Sequence, residues 1–345
     1  MAAAGEGARG AVMQAPAGQV LLGDIGGTNA RFALLADGDV GAIRTLRVEQ
    51  FPEVSDAIDL FLRQQGRPSI ASAVFAAAGP CDRNRVTVTN SAWVIDGAAI
   101  AAAFGVATVS VINDFVATGW SLPLLDASAL MAIGAGRAAP DAPMVAIGPG
   151  TGLGLACHVP GARGAVVIAS EGGHADLPAA SDRQDAVIRI LRERFGHVSA
   201  ERAISGPGLE NLYQAIALID GAAVPERQAA AITDAALDRS CPVSVAALEM
   251  FSSMLGMVAG NAALCFGSRG GVYIAGGIAP RIAGFLAQSQ FRAAFEARGR
   301  LRSYVEAIPT SVILHPDTTF LGLRALALHQ NAVAQASEWP APGQA

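Results

Sequence analysis

The chain has 345 residues, 52% apolar and 15% charged, with a formal net charge of −5. This composition excludes a disordered, collagen-like or disulfide-scaffold protein, and the charge favours neither a nucleic-acid backbone nor an anionic membrane as partner. All 24 basic residues are arginine, which also excludes the lysine-dependent P-loop NTPases, protein kinases, and Schiff-base or pyridoxal-phosphate enzymes.

At about 150 residues per domain the length suggests two domains or lobes. Residues 1–18 read as a disordered extension, too weakly apolar for a signal-peptide core. Val20–Gly23 and Arg31–Leu35 read as strands around a Gly-Gly-Thr-Asn turn. Residues 53–63 place Val54, Ala57, Ile58 and Phe61 on one helical face. Residues 70–78 form a buried strand, 85–89 alternate as a half-exposed one, and Ala107–Ile112 form a third that ends on Asn113-Asp114. A second strand–glycine turn–strand spans Met144–Val159. It lacks charge but is broken by glycine and proline, so the segment 142–162 is not a membrane span. Ala165–Ala169 is a further strand. Ser181 and Gln184 fit a capping box for a helix with Val187, Ile190, Leu191 and Phe195 on its apolar face and Gly196 as its stop. Helices follow at 208–219, 229–239 and 243–266. A strand at 270–277, a strand at 311–315 and a helix at 319–333 close the fold. The tail from 336 reads as loose. Cys81, Cys157, Cys241 and Cys265 form no C-x-x-C pair and read as small buried hydrophobes in a reducing compartment.

Several segments carry chemistry. Gly23-Asp24-Ile25-Gly26-Gly27-Thr28 brings an aspartate to a strand end and follows it with a glycine turn. Such a turn makes an anion nest of backbone N–H groups, and Thr28 adds a hydroxyl donor. Asp24 beside phosphate requires a cation between them, so the motif points to Mg²⁺ held through water. The bland alternative is a hairpin turn with a polar cap. Gly150-Thr151-Gly152 repeats the device, and Gly276-Gly277 after a buried strand leaves room for a flat base or is simply a turn. Asn113 and Asp114 stand where α/β proteins place ligands, so Asp114 could accept a proton from an attacking hydroxyl. Both residues equally suit a helix N-cap. Glu171 and His174 flank two glycines, and Glu201 adds a third polar group. Acids, an amide and an imidazole together suit a polyhydroxylated ligand. No neighbouring cysteine completes a zinc site. His158, His197 and His315 read as structural.

GDIGGTNARFAL (23–34), TNSAW (89–93), INDF (112–115), GPGTGLG (148–154), EGGHADL (171–177), GHVSAERAISGPGLENLY (196–213) and GGVYIAGGIAPR (270–281) together resemble the ATP-dependent, hexokinase-related bacterial glucokinases. The resemblance runs in order from residue 20 to about 330. It implies a two-lobed α/β fold of the actin-like ATPase (ribonuclease H-like) type, with duplicated lobes around a central cleft. It implies ATP and Mg²⁺ as cofactors and D-glucose as substrate. Gly23 to Thr28 and Gly150 to Gly152 become phosphate loops, and Gly276-Gly277 neighbours the adenosine. Asn113, Asp114, Glu171, His174 and Glu201 match glucose-binding positions, Asp114 matches the catalytic base, and Asn90 lies near the sugar. Pro149 departs from the pattern by removing one backbone donor.

The expected layout is a small lobe from 19–124 plus 315–335, a large lobe from 125–314, and a loose 336–345. The protein is expected in the cytoplasm, as a homodimer, without nucleic-acid or membrane partners. Two readings compete with glucose phosphorylation: a hexose-sensing regulatory protein and a kinase of another hexose. An actin-like assembly or chaperone ATPase is disfavoured by the acidic, histidine-bearing cluster. The ROK group is disfavoured because no cysteine follows His174 until Cys241.

Overall fold

The computed structural model describes residues 18–162 and 164–338. All of the expected extension except Gly18 lies outside the described residues, as does the expected tail from 339 on. The described residues divide into two compact units, one reaching Asp114 and resuming at Leu323, the other running from Phe115 to Gly322.

The first unit is built on an apolar strand, β1 (Gln19–Ile25), whose central residues are buried on both faces. It hairpins antiparallel into β2 (Asn29–Ala36) through the first glycine turn. Short strands β3 (Asp39–Val40) and β4 (Arg44–Arg47) pair with β2. Next come α1 (Val54–Gln64), β5 (Ile70–Ala77), β6 (Cys81–Asp82), β7 (Arg85–Thr87), β8 (Val94–Asp96), α2 (Gly97–Phe104) and β9 (Thr108–Asn113). The main sheet runs β3-β2-β1-β5-β9, with β1, β5 and β9 parallel, while β6-β7-β8 form a small separate sheet. The apolar face of α1 is the one its spacing predicts: Val54, Ala57, Ile58 and Phe61 are buried, and Phe61 packs on Phe32 with ring centroids 5.6 Å apart.

The second unit starts along α3 (Asp114–Ser121) and β10 (Leu130–Ala132), then repeats the hairpin form with β11 (Met144–Pro149) and β12 (Leu153–Val159). The residues 142–162 are therefore this hairpin. An exposed edge strand, β13 (Val166–Ser170), precedes four helices: α4 (Asp182–Phe195), α5 (Gly206–Asp220), α6 (Ala229–Leu237) and α7 (Pro242–Phe266). Then come β14 (Gly271–Ile274), the short helices α8 (Ala283–Gln288), α9 (Phe291–Glu296) and α10 (Arg302–Glu306), β15 (Thr310–Ile313) and α11 (Thr318–Glu338). The sheet order is β10-β15-β14-β11-β12-β13, with β11, β14 and β15 parallel. Among the described residues α7 is the one helix long and apolar enough to cross a membrane, yet 72% of its apolar window is buried in this unit, as befits a core helix. From Leu323 on, α11 belongs to the first unit, where Arg324 Nε donates to the Gly38 carbonyl at 2.6 Å and Gln330 donates to Ser110 Oγ at 3.0 Å.

Three expectations need correction. On α4 the buried residues are Gln184, Val187, Ile188 and Leu191, so Ile188 joins the inner face, while Ile190 packs against the same core only partly buried. Phe195 also packs on this core only partly buried, and the guanidiniums of Arg194 and Arg202 stack on its ring. Cys81 and Cys265 are exposed, whereas Cys157 and Cys241 are buried as expected. Burial of Cys157 pushes its thiol up to about 11, which leaves it protonated and unreactive at neutral pH.

Candidate active site

In the first unit the parallel register aligns Ile25, Ala77 and Asn113 across β1, β5 and β9. The first glycine turn, the Ala78-Gly79 turn and Asn113-Asp114 therefore emerge at one sheet end, the carboxyl end where α/β sheets present ligand groups. Asp24 sits opposite Arg31 across the β1–β2 pair, and the guanidinium donates to its carboxylate, with Nε–Oδ2 at 2.9 Å and Nη2 bonding the same oxygen. Both side chains are mostly buried, 17% exposed for Asp24 and 29% for Arg31, so the pair is held in place. The turn is closed by Gly26 N–H donating to the Asn29 carbonyl at 3.0 Å and by Val48 N–H donating to the Thr28 carbonyl at 3.0 Å. A Cβ on Gly27 would stand 2.6 Å from the Thr89 carbonyl oxygen, so only glycine lets the Thr89-Asn90 turn cross there. Asn90 is exposed, with φ +61°.

Gly23 and Ile25 serve this turn from below. Gly23 is buried under the Phe75 ring, and the Ile25 side chain is 1% exposed in the core. Toward the turn, Gly26 and Gly27 are half-buried and Thr28 is exposed. Asn113 closes β9, where its Nδ2 donates to the Gly79 carbonyl at 3.0 Å. Asp114, half-buried, is the first residue of α3, a position where helix amides favour negative charge.

In the second unit the same arrangement recurs. Ile147 and Ile274 are in register on β11 and β14, so the Gly150–Gly152 turn and Gly276-Gly277 share one end. Gly276 has φ +81°, and a Cβ there would lie 2.5 Å from the Pro149 carbonyl oxygen. Thr151 and Gly277 are exposed. Pro149 ends β11 opposite Leu153, and its carbonyl accepts Ile278 N–H at 3.4 Å.

The structure brings Glu171, His174 and Glu201 into one neighbourhood. Residues 172–174 make a single helical turn, and Gly173 is buried so tightly that a Cβ would stand 2.0 Å from the Leu153 carbonyl oxygen. Ala200 N–H donates to the Ala175 carbonyl at 2.9 Å, which ties the Glu201 segment to the His174 segment. His174 Nε2 then lies 3.9 Å from Glu201 Oε2. The outer residues of the same motifs pair separately: His197 Nε2 is 2.7 Å from Asp176 Oδ1 at the surface. His158 is buried against Trp120 and His315 Nδ1 accepts Asp317 N–H at 3.1 Å, so neither joins the set.

A cavity of about 460 Å³, a size typical of small-molecule sites, opens beside the second turn. Gly150, Thr151, Glu210, Gln228, Gly277 and Arg281 are among its lining residues. Glu210, Gln228 and Arg281 are absent from the sequence-derived candidates, although Glu210 and Arg281 stand inside quoted motifs. Glu210 Oε1 accepts the Ala229 N–H at 2.8 Å and so caps α6 from α5, while Arg281 pairs with Asp234 of the same helix. Among the described residues no cluster of three or more His, Cys, Asp or Glu could hold a metal ion.

The first unit thus carries a glycine turn and a carboxylate at a helix start, and the second carries a glycine turn, a Glu–His–Glu set and a cavity of small-molecule size, features that suit a small-molecule kinase. The family model for glucokinase matches residues 21–330. A glucokinase of Paramagnetospirillum magneticum is 43% identical over 310 residues, covering 89% of this chain and 97% of that one. One from Chromobacterium violaceum is 43% identical over 294 residues, covering 85% and 84%. A crystal structure of glucokinase from an Antarctic psychrotroph superposes with TM-score 0.83 at 34% identity, covering 90% of this chain and 99% of that one. The chain belongs to the glucokinase family.

Proposed function

We propose that this chain is an ATP:D-glucose 6-phosphotransferase, which moves the γ-phosphoryl group of ATP to the 6-hydroxyl of D-glucose, giving glucose 6-phosphate and ADP at the entry of glycolysis. The observation that carries the reading is membership of the glucokinase family, whose model matches residues 21–330 and so spans Asp114, Glu171, His174 and Glu201.

Asp114 is the base. Its carboxylate takes the proton of the 6-hydroxyl as that oxygen attacks the γ-phosphorus in line. Asn113, Glu171, His174 and Glu201 hold the other hydroxyls, and a sugar lacking one of them leaves a polar group unpaired. Backbone N–H groups of Gly27, Thr28, Thr151 and Gly152 face the phosphates, those of Gly26 and Gly150 closing their own turns, while Gly276-Gly277 and the adjoining cavity take the adenosine. Asp24, oriented by Arg31, is the residue that would hold Mg²⁺ through water. That ion, when bound, offsets phosphate charge.

The reading includes the actin-like, ribonuclease H-like ATPase architecture, with lobes of 19–124 plus 315–335 and 125–314. Its support is the strand order, since β2-β1-β5-β9 and β12-β11-β14-β15 each set an antiparallel hairpin beside two parallel strands. It also includes a cytoplasmic homodimer without nucleic-acid or membrane partners.

The test is a coupled assay of hexose 6-phosphate formation with Mg-ATP on glucose, mannose, fructose and glucosamine, repeated with Asp114→Asn. Glucose should be the preferred substrate, and Asp114→Asn should lower kcat by about 10²–10⁴-fold while glucose still binds. Near-normal turnover by Asp114→Asn would remove the base assignment. Glucose binding without turnover in the unaltered protein would favour a sensor.

A further inference from the structure

Leu153 is the first residue beyond the second glycine turn, and both sugar-binding segments of the second unit rest on it. Its N–H donates to Glu201 Oε2 at 2.9 Å. Its carbonyl is the group against which Gly173 is packed, one residue before His174. The same Glu201 Oε2 lies 3.9 Å from His174 Nε2. A Cβ on Gly152 would stand 2.5 Å from this oxygen, so the turn keeps a glycine where the carboxylate comes in.

The segment carrying Glu201 is anchored to the turn a second time. Ser205 Oγ donates to the Glu201 carbonyl at 2.8 Å, and Gly206 N–H donates to the Gly150 carbonyl at 2.8 Å. Glu201 therefore stands between the sugar set and the phosphate turn, hydrogen-bonded to the backbone of the turn's hairpin.

We propose that Glu201 couples the two ligands: its carboxylate transmits sugar occupancy to the Gly150–Gly152 turn through the Leu153 N–H, and nucleotide occupancy back to the sugar. This rests on the proposed roles of Glu201 and of the turn. A sugar hydroxyl donating to the carboxylate fixes its rotamer. The fixed rotamer holds the Leu153 peptide, and the ordered turn then meets the phosphates at lower cost. Linkage makes the effect reciprocal: each ligand raises the affinity of the other by one factor.

The experiment is titration calorimetry of the full chain with glucose, with and without a saturating non-hydrolysable ATP analogue and Mg²⁺. Where glucose binds weakly, the same ratio is read from analogue titrations at saturating glucose. The unaltered protein should show a ratio on the order of 5-fold or more. Glu201→Gln keeps an amide oxygen for the Leu153 N–H, so it should weaken glucose yet hold the ratio within about twofold. Glu201→Ala removes the acceptor and Gly152→Ala displaces it. Both should bring the ratio to about one. His174→Ala should weaken glucose and leave the ratio unchanged, which separates coupling from sugar affinity and needs no change in the turn.

A ratio of one in the unaltered protein, or an unaltered ratio in Glu201→Ala, would overturn the proposal. A protein that neither binds nor phosphorylates glucose would instead fail the reading as a glucokinase. Phosphorylation of glucose with a ratio of one would fail the coupling alone.

Discussion

Gly154→Ala tests how the helix that bears the proposed base is seated. Gly148 and Gly154 are cross-strand partners on β11 and β12, and the Phe115 ring lies on both. A Cβ at 154 would stand 1.9 Å from Phe115 Cδ2, and one at 148 would stand 2.5 Å from Cζ. Carbon atoms at rest sit about 3.5–4.0 Å apart, so the ring must move by more than 1 Å or the hairpin must open. Overpacking of this kind costs about 1–3 kcal/mol. At about 2–4 °C per kcal/mol, Tm should fall by roughly 2–12 °C. Asp114 is bonded to Phe115 and heads the same helix, so its carboxylate shifts with the ring. A misplacement of about 1 Å can cost on the order of 100-fold in rate. Thermal denaturation and the coupled glucose 6-phosphate assay read both effects. Phe115→Leu in the same chain makes room for the added methyl, so the double variant should recover part of the loss, with a coupling of at least about 0.5 kcal/mol. Wild-type Tm and kcat in Gly154→Ala would show that the ring does not bear on the hairpin, and additive effects in the double variant would refute the contact.

Two further perturbations test other parts of the structure. Glu210→Ala leaves the Ala229 N–H at the start of α6 without its carboxylate. The loss should cost about 1 kcal/mol of stability and raise the KM for ATP more than that for glucose, because α6 walls the cavity. Equal changes in both KM values would count against the cavity as the nucleotide site. His158 is 5% exposed, its Nδ1 has no hydrogen-bond partner among the described residues, and burial lowers its pKa below the ordinary 6.5. Below about pH 6.5 the unfolded chain takes up a proton that the folded chain refuses, so this contribution to stability is intact above 6.5 and lost as pH falls toward the folded value. His158→Phe should therefore shrink the drop in Tm between about pH 7 and about pH 5. An unchanged drop would place the acid sensitivity elsewhere.

The sequence by itself determined the elements with strong local signals. Alternating or continuous apolar runs marked β1, β5, β9 and β11, because burial of a strand leaves its period in the chain. Ser181 and Gly196 marked both ends of α4, because caps are local hydrogen-bonding problems. The glycine turns and their polar neighbours were legible for the same reason, as were all three members of the Glu–His–Glu set. Other features depended on partners distant in sequence. Helices α8 to α10 have five or six residues each, too few to show a helical period. Ile188 is buried more deeply than Ile190 on α4, and two cysteines turn outward, because packing neighbours choose among apolar positions that periodicity leaves nearly equivalent. The burial of Gly23 under Phe75, the Arg31 partner of Asp24, the cap that Glu210 gives to α6 and the bond from Leu153 to Glu201 follow from strand register and chain reversal. A turn motif specifies its own backbone, but which carboxylate meets which amide 48 positions away is decided only when the chain has folded.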